Sequence, residues 1–567
     1  MDNYQISQAL LRMAKGLEFL EDNPYRVRAY RRAAHAIFSL DRPVNEYLRE
    51  GRLPEIGGVG KGITTLLRDW LLEKDMSELE NIIAQVPRGL DELLKVSGLG
   101  MKKIKTLHQK MGIATLEDLL EACNNGNVLK ISGFSEKTVK KIRDEVGLIV
   151  NYRGKYLLDR SLNFAMKVFS DLEMHGLRVD LTGQMRRTTE IIERIEFLVA
   201  ASGNTADIIR RVLGDEFHST DNGKVFFISP LDAPEIRILL VSEDVYALSL
   251  FLTTGNEQHV AAIQRLAREK GIEIGQNAVV HKGKILAIHT EADIYSLVEL
   301  GYIPAELREW GDKELVWAKP KNVTRLLDHG DLKGILHVHT GYSDGRVNMR
   351  EMVLAARDRG YSWIGISDHS QSAYYAGGMD IEELKRQFDE IDELNASLEG
   401  IKVLKGIESD ILPDGSLDYP PEELQSFDFV IASIHSQMDM DRDTMTDRII
   451  QAIKNPYTSI LAHPTGRLLL ARKPYEVDMR RVIEAALDNS VIIELNANPQ
   501  RLDLDWRLIP DYLAAGGVIA ITPDAHDSVG LDDMDYGVMM ARKGFVTADQ
   551  CLNTYEYEQA RKLLRAR

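Results

Sequence analysis

Apolar and polar positions change rhythm twice along the chain. In the first 150 residues an apolar residue, a glycine turn and an amphipathic helix follow one another three times, at 56–63, 96–104 and 131–139. From about residue 158 short alternating runs take over. Residues 179–182 read as a strand entering a turn at Gly183-Gln184, and further strands are predicted at 194–200, 224–228 and 235–241. A helical stretch over 245–271 leads to the proline-containing Tyr302-Ile303-Pro304, and 317–322, with Pro320 and two lysines, reads as a linker. Beyond it, apolar strands are predicted at 334–338, 363–367, 402–407, 427–433, 459–462, 491–495 and 517–521. Helical stretches such as 349–359, 381–398, 444–454 and 479–489 lie between them. Such alternation makes a parallel sheet, here predicted to close as a distorted α/β barrel.

With 567 residues and 64.0 kDa, the chain exceeds one ordinary domain and suits roughly three or four. Its 44% hydrophobic residues suffice for several cores, and its 28% charged residues are ordinary for a globular surface. The two cysteines, Cys123 and Cys551, form no CxxC pair. They argue against a disulfide scaffold or a cysteine zinc site and fit a reducing, cytoplasmic setting. The opening Met1-Asp2-Asn3-Tyr4 shows no basic-then-apolar leader and no run reaches membrane-spanning length, so no membrane partner is expected.

The net charge of −17 speaks at first against nucleic acid. It is unevenly spread, however: the first 150 residues hold about 23 Lys and Arg against about 21 Asp and Glu, leaving about −19 on the rest. Basic clusters stand at Arg26, Arg28, Arg31 and Arg32, at Lys102, Lys103, Lys105 and Lys110, and at Lys137, Lys140, Lys141 and Arg143. By themselves these are ordinary solvated helix faces. Beside glycine turns they acquire a second reading. A glycine with positive φ leaves N–H groups free at the start of the next helix, and those groups, the helix dipole and a first-turn lysine suit one phosphate. Gly58, Gly60 and Lys61, then Gly98, Gly100, Lys102 and Lys103, then Gly133 and Lys137 are the candidate phosphate contacts. The three tandem units resemble helix-hairpin-helix repeats, which grip the DNA backbone without reading sequence. The third has Ser135 where the motif carries glycine, making it the weakest expected binder.

The predicted barrel strands end in His337-Val338-His339, Asp344, Asp368-His369, Glu408-Ser409-Asp410, His435, His463 and Asp524-Ala525-His526. Catalytic groups of α/β barrels collect at this face, where the loops after the strands converge. His337 and His339, two apart on a strand, can chelate one ion, and Glu408 can bridge two. Imidazoles suit Zn²⁺, Mn²⁺ or Fe²⁺ better than Mg²⁺. All six histidines beyond residue 332 fall at such strand ends, which scattered core or surface histidines would not do.

The succession H-x-H…S-D-G, S-D-H-S, G-x-E-x-D, I-x-S-x-H, A-H-P-T-G-R, N-x-N-P-x-R-L-D and D-A-H resembles the PHP (polymerase and histidinol phosphatase) family over about residues 333–567. The resemblance implies three divalent ions. One would be held by His337, His339, Glu408 and Asp524, a second by Glu408, His435 and His463, and a third by Asp344, His369 and His526. Such ions neutralise a phosphoester, acidify a water and stabilise the leaving oxygen. Arg467 and Arg501 are candidates to hold the substrate phosphate, and surface salt bridges would account for them equally well.

Together with the helix-hairpin-helix region, the whole chain resembles bacterial family X DNA polymerases. Residues 23–31 match the opening helices of the small DNA-end-binding domain, and 301–309 the end of the thumb. The implied layout is 1–88, a small helical DNA-end-binding domain; 89–150, a helix-hairpin-helix, fingers-like domain; 151–242, a nucleotidyltransferase palm; 243–315, the thumb; 316–332, a linker; and 333–567, a distorted (β/α)7 PHP barrel. The polymerase motifs themselves are altered. The triphosphate turn reads Gly183-Gln184 before Arg186-Arg187, the paired aspartates align with Arg194 and Glu196, the third with Glu235, and T-G-S reads Thr253-Thr254-Gly255. Glutamate is a methylene too long and Arg194 puts a permanent cation where a ligand belongs. The lyase lysine position holds Leu66, while Lys61 belongs to the phosphate-binding turn.

The expected protein is therefore a monomeric repair nuclease on gapped, nicked or 3′-end DNA. It would hydrolyse 3′ termini or abasic-site phosphodiesters with Mn²⁺ or Zn²⁺, with Mg²⁺ at most at a residual palm site. The rivals are a gap-filling polymerase with proofreading, a DNA-binding scaffold, and a small-molecule phosphatase.

Overall fold

The computed structural model describes residues 3–38, 40, 42–214, 218–220, 224–229 and 233–564. Met1 and Asp2 of the opening tetrapeptide, and 565–567 at the end of the expected barrel region, lie outside them. The chain forms two compact units, Met1–Arg153 and Gly154–Arg567.

The first unit is helical. Helices α1 (Asn3–Phe19) and α2 (Pro24–Phe38) pair. The helical spacing of Ile6, Leu10, Met13 and Leu17 puts four apolar side chains on one buried stripe of α1, facing Val27, Tyr30, Ala34 and Ile37 of α2. Each such side chain contributes about 1.5–3 kcal/mol by leaving water. Three further helices, α3 (Lys61–Arg68), α4 (Met101–Met111) and α6 (Glu136–Tyr152), start at the three glycine turns, and α5 (Leu116–Asn124) begins with a capping box between Thr115 and Asp118. Leu66 lies in the core of the first bundle.

The second unit opens with helix α7 (Leu158–Met174), which covers a five-stranded sheet. Its strands are β1 (Val179–Thr182), β2 (Arg194–Ala200), β3 (His218–Thr220), β4 (Val225–Ile228) and β5 (Glu235–Val241), in the order β1-β2-β5-β4-β3. The predicted helix over 245–271 is two helices, α8 (Tyr246–Thr254) and α9 (Glu257–Glu269). Gly255 and Asn256 turn extended between them, and the Asn256 side chain caps α9 by accepting from His259 N. In the stretch read as a linker, Ala318, Leu326 and Leu327 are buried and Leu327 N donates to Val546 O, which seats it against the barrel.

Seven parallel strands follow: β6 (Gly334–Val338), β7 (Trp363–Ile366), β8 (Lys402–Asp410), β9 (Phe429–Ser433), β10 (Ile460–Leu461), β11 (Ile492–Asn496) and β12 (Ile519–Thr522). They pair strictly in sequence order, and His339 N donates to Ala525 O to bring the first strand back to the last. Leu336, Leu404, Phe429, Ile431, Ile460, Ile492 and Ala520 share one core with Leu552, Ala560 and Leu564, so the C-terminal segment plugs the barrel. Phe429 fits because β7 and β8 carry glycine beside it: a Cβ on Gly406 would lie 2.1 Å from its ring. Gly406→Ala is expected to cost about 1–3 kcal/mol, read as a lower melting midpoint.

Palm, thumb and barrel are joined by buried groups. Trp310 and Trp506 stack edge-to-face with centroids 5.0 Å apart, and Trp506 Nε1 donates to Glu190 Oε1 at 2.8 Å. Lys543 is 0% exposed; its ammonium donates to Arg187 O at 2.8 Å and faces Glu309 at 3.6 Å. Burial pushes its pKa below the ordinary lysine value.

Candidate metal centre and nucleic-acid interface

The barrel core alternates: Leu404, Ile431, Ile492 and Ala520 point inward, and the same parity carries Glu408, Glu494 and Asp524 to the interior at the C-terminal end. By that parity Leu336 would turn His337 and His339 outward. A register shift between Ile335 and Val338, with His337 at φ +63°, reverses it. His463 (φ +26°) and Asp524 (φ +53°) also hold left-handed backbone. Non-glycine residues pay about 1–3 kcal/mol for such conformations, and they concentrate where function over-determines the backbone.

Glu408 lies at the centre. Its Oε1 faces His337 Nε2 at 3.3 Å, His435 Nε2 at 3.4 Å and His463 Nε2 at 3.1 Å, and its Oε2 faces His369 Nδ1 at 2.9 Å and His339 Nε2 at 3.6 Å. Asp524 Oδ1 is 3.3 Å from His339 Nε2 and 3.6 Å from His337 Nε2. Toward the half-exposed rim, Asp344 Oδ1 lies 3.3 Å from His526 Nε2 and 3.7 Å from His369 Nε2. All nine candidate ligands therefore converge. Ligand atoms within 4.8 Å of one another form four groups: His337, His339 and Asp524; His337, Glu408 and His463; His369, Glu408 and His435; and His339, Asp344, His369 and His526. These groups do not divide as the three expected sites: among the described residues Glu408 is not grouped with His339 and Asp524, no group contains both His435 and His463, and His339 joins Asp344, His369 and His526. Glu408 lies between His435 and His463 and pairs each with a different neighbour.

Two carboxylates not assigned a role from sequence orient the rings. Glu494 accepts from His337 Nδ1, from Thr522 Oγ1 at 2.5 Å and from His463 N at 2.6 Å. Asp410 Oδ1 holds His435 Nδ1 at 2.7 Å. Each fixes one ring nitrogen so that Nε2 turns inward, the carboxylate–histidine arrangement of metal sites. Glu494→Gln puts an amide where a carboxylate must accept, and is expected to lower metal affinity or hydrolysis about 10–100-fold, measured by metal titration.

The donor set fits divalent cations. His337 Nε2, both ring nitrogens of His339, His369 Nδ1, His463 Nδ1 and Glu408 Oε2 are buried without a protein hydrogen-bond partner. Each would cost about 1–3 kcal/mol if left so, which a cation offsets. Burial, helped by neighbouring His369 and His526, pushes His339 down to about 3, the neutral form a ligand requires. Burial opposes ionisation of Glu408 and Asp524, but the surrounding histidines, with Arg501 beside Asp524, hold both well below the ordinary carboxylate range.

The two arginines separate. Arg501 Nε lies 3.2 Å from Asp524 Oδ2, inside the site. Arg467 Nε donates to Arg501 O at 2.9 Å, one Nη to Leu502 O and the other to Asp505 at 2.8 Å. Arg467, for which phosphate binding and a salt bridge are equal expectations, makes a salt bridge to Asp505 and braces the loop that carries Arg501.

In the palm, β2 and β5 pair Arg194 with Glu235 and Glu196 with Arg237, a checkerboard of opposite charges. Arg194 Nε reaches Glu235 Oε1 at 3.0 Å and Arg237 Nε the same oxygen at 2.6 Å, while Arg194 lies 3.7 Å from Glu196. Gly183, at φ +60°, abuts Glu196, whose Oε2 lies 2.2 Å from where a Cβ would stand. Gln184 Oε1 accepts from Glu193 N at 2.9 Å. Arg186 pairs with Glu291 at 2.6 Å and Arg187 with Glu309 at 2.7 Å. Among the described residues none of the groups of three or more candidate ligands lies in the palm.

The three helix-hairpin-helix turns share one geometry. Gly58 (φ +97°), Gly98 (φ +80°) and Gly133 (φ +95°) are left-handed, and Gly60, Gly100 and Ser135 are extended N-caps of α3, α4 and α6. Lys61, Lys102 and Lys137 are exposed, whereas Lys103 Nζ folds back to Gly98 O at 2.9 Å. In the third turn Ser135 Oγ accepts from Thr138 N at 3.3 Å, whereas in the second turn the equivalent Lys103 N donates to Gly100 O at 2.9 Å. Lys102→Ala and Lys137→Ala are expected to weaken DNA binding alike on all sequences, and to reduce the log–log salt slope by about one each in an anisotropy titration.

Family models match as a helix-hairpin-helix domain over 1–76, a SAM-like helix-hairpin-helix tandem over 90–147, the DNA polymerase beta thumb over 249–309, and the PHP domain over 336–498. The DNA polymerase/3'-5' exonuclease PolX of Bacillus subtilis (strain 168) is 33% identical over 574 residues, covering 100% of both chains. A probable phosphatase of Thermoanaerobacter sp. (strain X514) is 30% identical over 233 residues, 38% of this chain and 89% of its own. One from Caldanaerobacter subterraneus subsp. tengcongensis is 33% identical over 174 residues, 29% of this chain and 63% of its own. No helix among the described residues is long and apolar enough to cross a membrane. Helix-hairpin-helix turns, thumb and PHP barrel in one chain, matched end to end by such a relative, place it in the family X DNA polymerases with a C-terminal PHP domain.

Proposed function

We propose that this chain acts in DNA repair chiefly as a metal-dependent 3′–5′ exodeoxyribonuclease and abasic-site phosphodiesterase, with little or no nucleotidyl transfer. The observation that carries this reading is the contrast between two sites of one chain. The barrel gathers buried, unpartnered imidazole nitrogens around Glu408, while the palm carboxylates are already neutralised by Arg194 and Arg237.

His337, His339, Asp344, His369, Glu408, His435, His463, Asp524 and His526 would hold the divalent ions. These ions supply Lewis acidity that draws charge from the phosphate and makes an attacking water acidic. Arg501, fixed beside Asp524 and braced by Arg467, presents a guanidinium to a non-bridging phosphate oxygen. Glu494 and Asp410 keep His337 and His435 oriented. Hydrolysis adds the water oxygen to phosphorus and breaks the P–O3′ bond; the departing 3′ oxygen takes a proton. The helix-hairpin-helix turns grip the duplex backbone, which supplies a DNA end rather than a small phosphomonoester. A 5′-labelled primer–template incubated with Mn²⁺, with and without dNTPs, tests the reading: the primer shortens in both lanes. Lengthening with dNTPs favours the gap-filling polymerase instead.

A further inference from the structure

The loop after β7 leaves two adjacent tyrosines in solvent beside the metal centre. Tyr374 is 89% and Tyr375 70% exposed, unusual for neighbouring aromatic side chains on an otherwise packed loop. The loop itself is fixed. Ser372 N donates to Asp418 Oδ2 at 2.6 Å, Gln371 Nε2 to Asp418 O at 2.8 Å, and Met379 N to His369 O at 2.9 Å; Ala373 and Ala376 are buried. Ser372 Oγ also reaches Asp410 Oδ2 at 3.2 Å, the carboxylate that orients His435. The chain thus pins both sides of Tyr374-Tyr375 and holds the two rings outward.

Their position is not arbitrary. The Tyr375 ring centroid lies 6.1 Å from the rings of both His369 and His435, at the rim of the candidate ligand set. The carboxylates Glu408, Asp410 and Asp344 act on Tyr375 more strongly than Arg501 does, and Arg501, 3.2 Å from Asp524 Oδ2, supplies a cation within the site. An exposed aromatic face at the rim of a candidate phosphate-cleaving centre that also holds a cation provides the parts of a single-strand site. Bases stack on such rings whatever their identity, and the backbone follows the charge. A paired end cannot offer its bases this way without unstacking.

Resting on the nuclease reading above, we propose that Tyr374 and Tyr375 form a stacking platform for the unpaired 3′-terminal bases of the DNA strand being shortened.

The test uses the full-length protein with Mn²⁺ and two 5′-labelled single-stranded oligonucleotides, an ordinary one ending in two thymidines and one ending in two 5,6-dihydrothymidines, whose saturated, puckered rings stack poorly. Wild type is expected to show a KM at least about fivefold lower on the ordinary end. Tyr374→Ala/Tyr375→Ala should bring that KM ratio close to one, and Tyr374→Phe/Tyr375→Phe should restore it, because stacking needs the ring and not the hydroxyl. An oligonucleotide ending in 2-aminopurine reports the same contact without turnover: its fluorescence quenching on binding should be lost in the double alanine variant. A KM ratio and quenching that survive the double alanine substitution overturn the platform while leaving the nuclease reading intact. If wild type shortens neither oligonucleotide, the nuclease reading fails and the platform with it.

Discussion

Asp524→Asn and Glu408→Gln are each expected to lower Mn²⁺-dependent shortening of a 3′ end by at least about 100-fold while the far-ultraviolet CD spectrum is retained. Glu408 is the one carboxylate that faces five of the candidate histidine ligands, at 2.9–3.6 Å. Asp524 faces two more contacts of that set and Arg501. An amide in either place keeps the shape but removes a charged ligand, so metal content measured by mass spectrometry should fall together with the rate. Full activity in both variants would place hydrolysis outside the barrel and favour the DNA-binding scaffold. Activity confined to small phosphomonoesters would favour the phosphatase.

Templated addition of dNTPs is expected to stay at background with Mg²⁺ or Mn²⁺. The Asp524→Asn protein is the right background for this measurement, because degradation then cannot hide extension. In-line transfer tolerates little displacement, and about 1 Å costs about 100-fold. Here a guanidinium occupies the first ligand position, both remaining ligands are glutamates, and Arg237 claims the oxygen of Glu235 that Arg194 also binds. Arg186 and Arg187, which could have faced a triphosphate, are tied to Glu291 and Glu309. Extension that depends on the complementary dNTP would show that substrate binding reopens this network, and would restore the polymerase reading.

Residue type and position within each strand–helix unit made much of the barrel readable in advance. A histidine or carboxylate at the end of six of the seven predicted strands required no three-dimensional knowledge to notice. The third helix-hairpin-helix turn, with Ser135 in place of glycine, was equally legible. Three things were not. The reversal at His337 depends on one left-handed residue, and plain alternation from Leu336 would have turned the pair away from the site. Which histidines share an ion depends on how the closed barrel arranges its strand ends, and so His435 and His463 fell into different groups. The commitment of Arg467 depends on carbonyls 34 and 35 residues away, which no local pattern reports. Glu494 left a signal that could have been used: it is the sole charge in the apolar run 491–495 and keeps the inward parity of Ile492. A charge at such a position is buried, and a buried charge needs partners.

The joint around Trp506 and Lys543 bears on what evolution could discard. Glu190, Arg187 and Glu309 belong to the palm and thumb, yet they supply the acceptors for a tryptophan and a fully buried ammonium of the barrel. Deleting the palm outright would strand Lys543 without its carbonyl partner and bare Trp506, on the loop that carries Arg501. The sheet and thumb thus serve as a wall of the barrel, supplying partners that Trp506 and Lys543 need whatever chemistry they carry themselves.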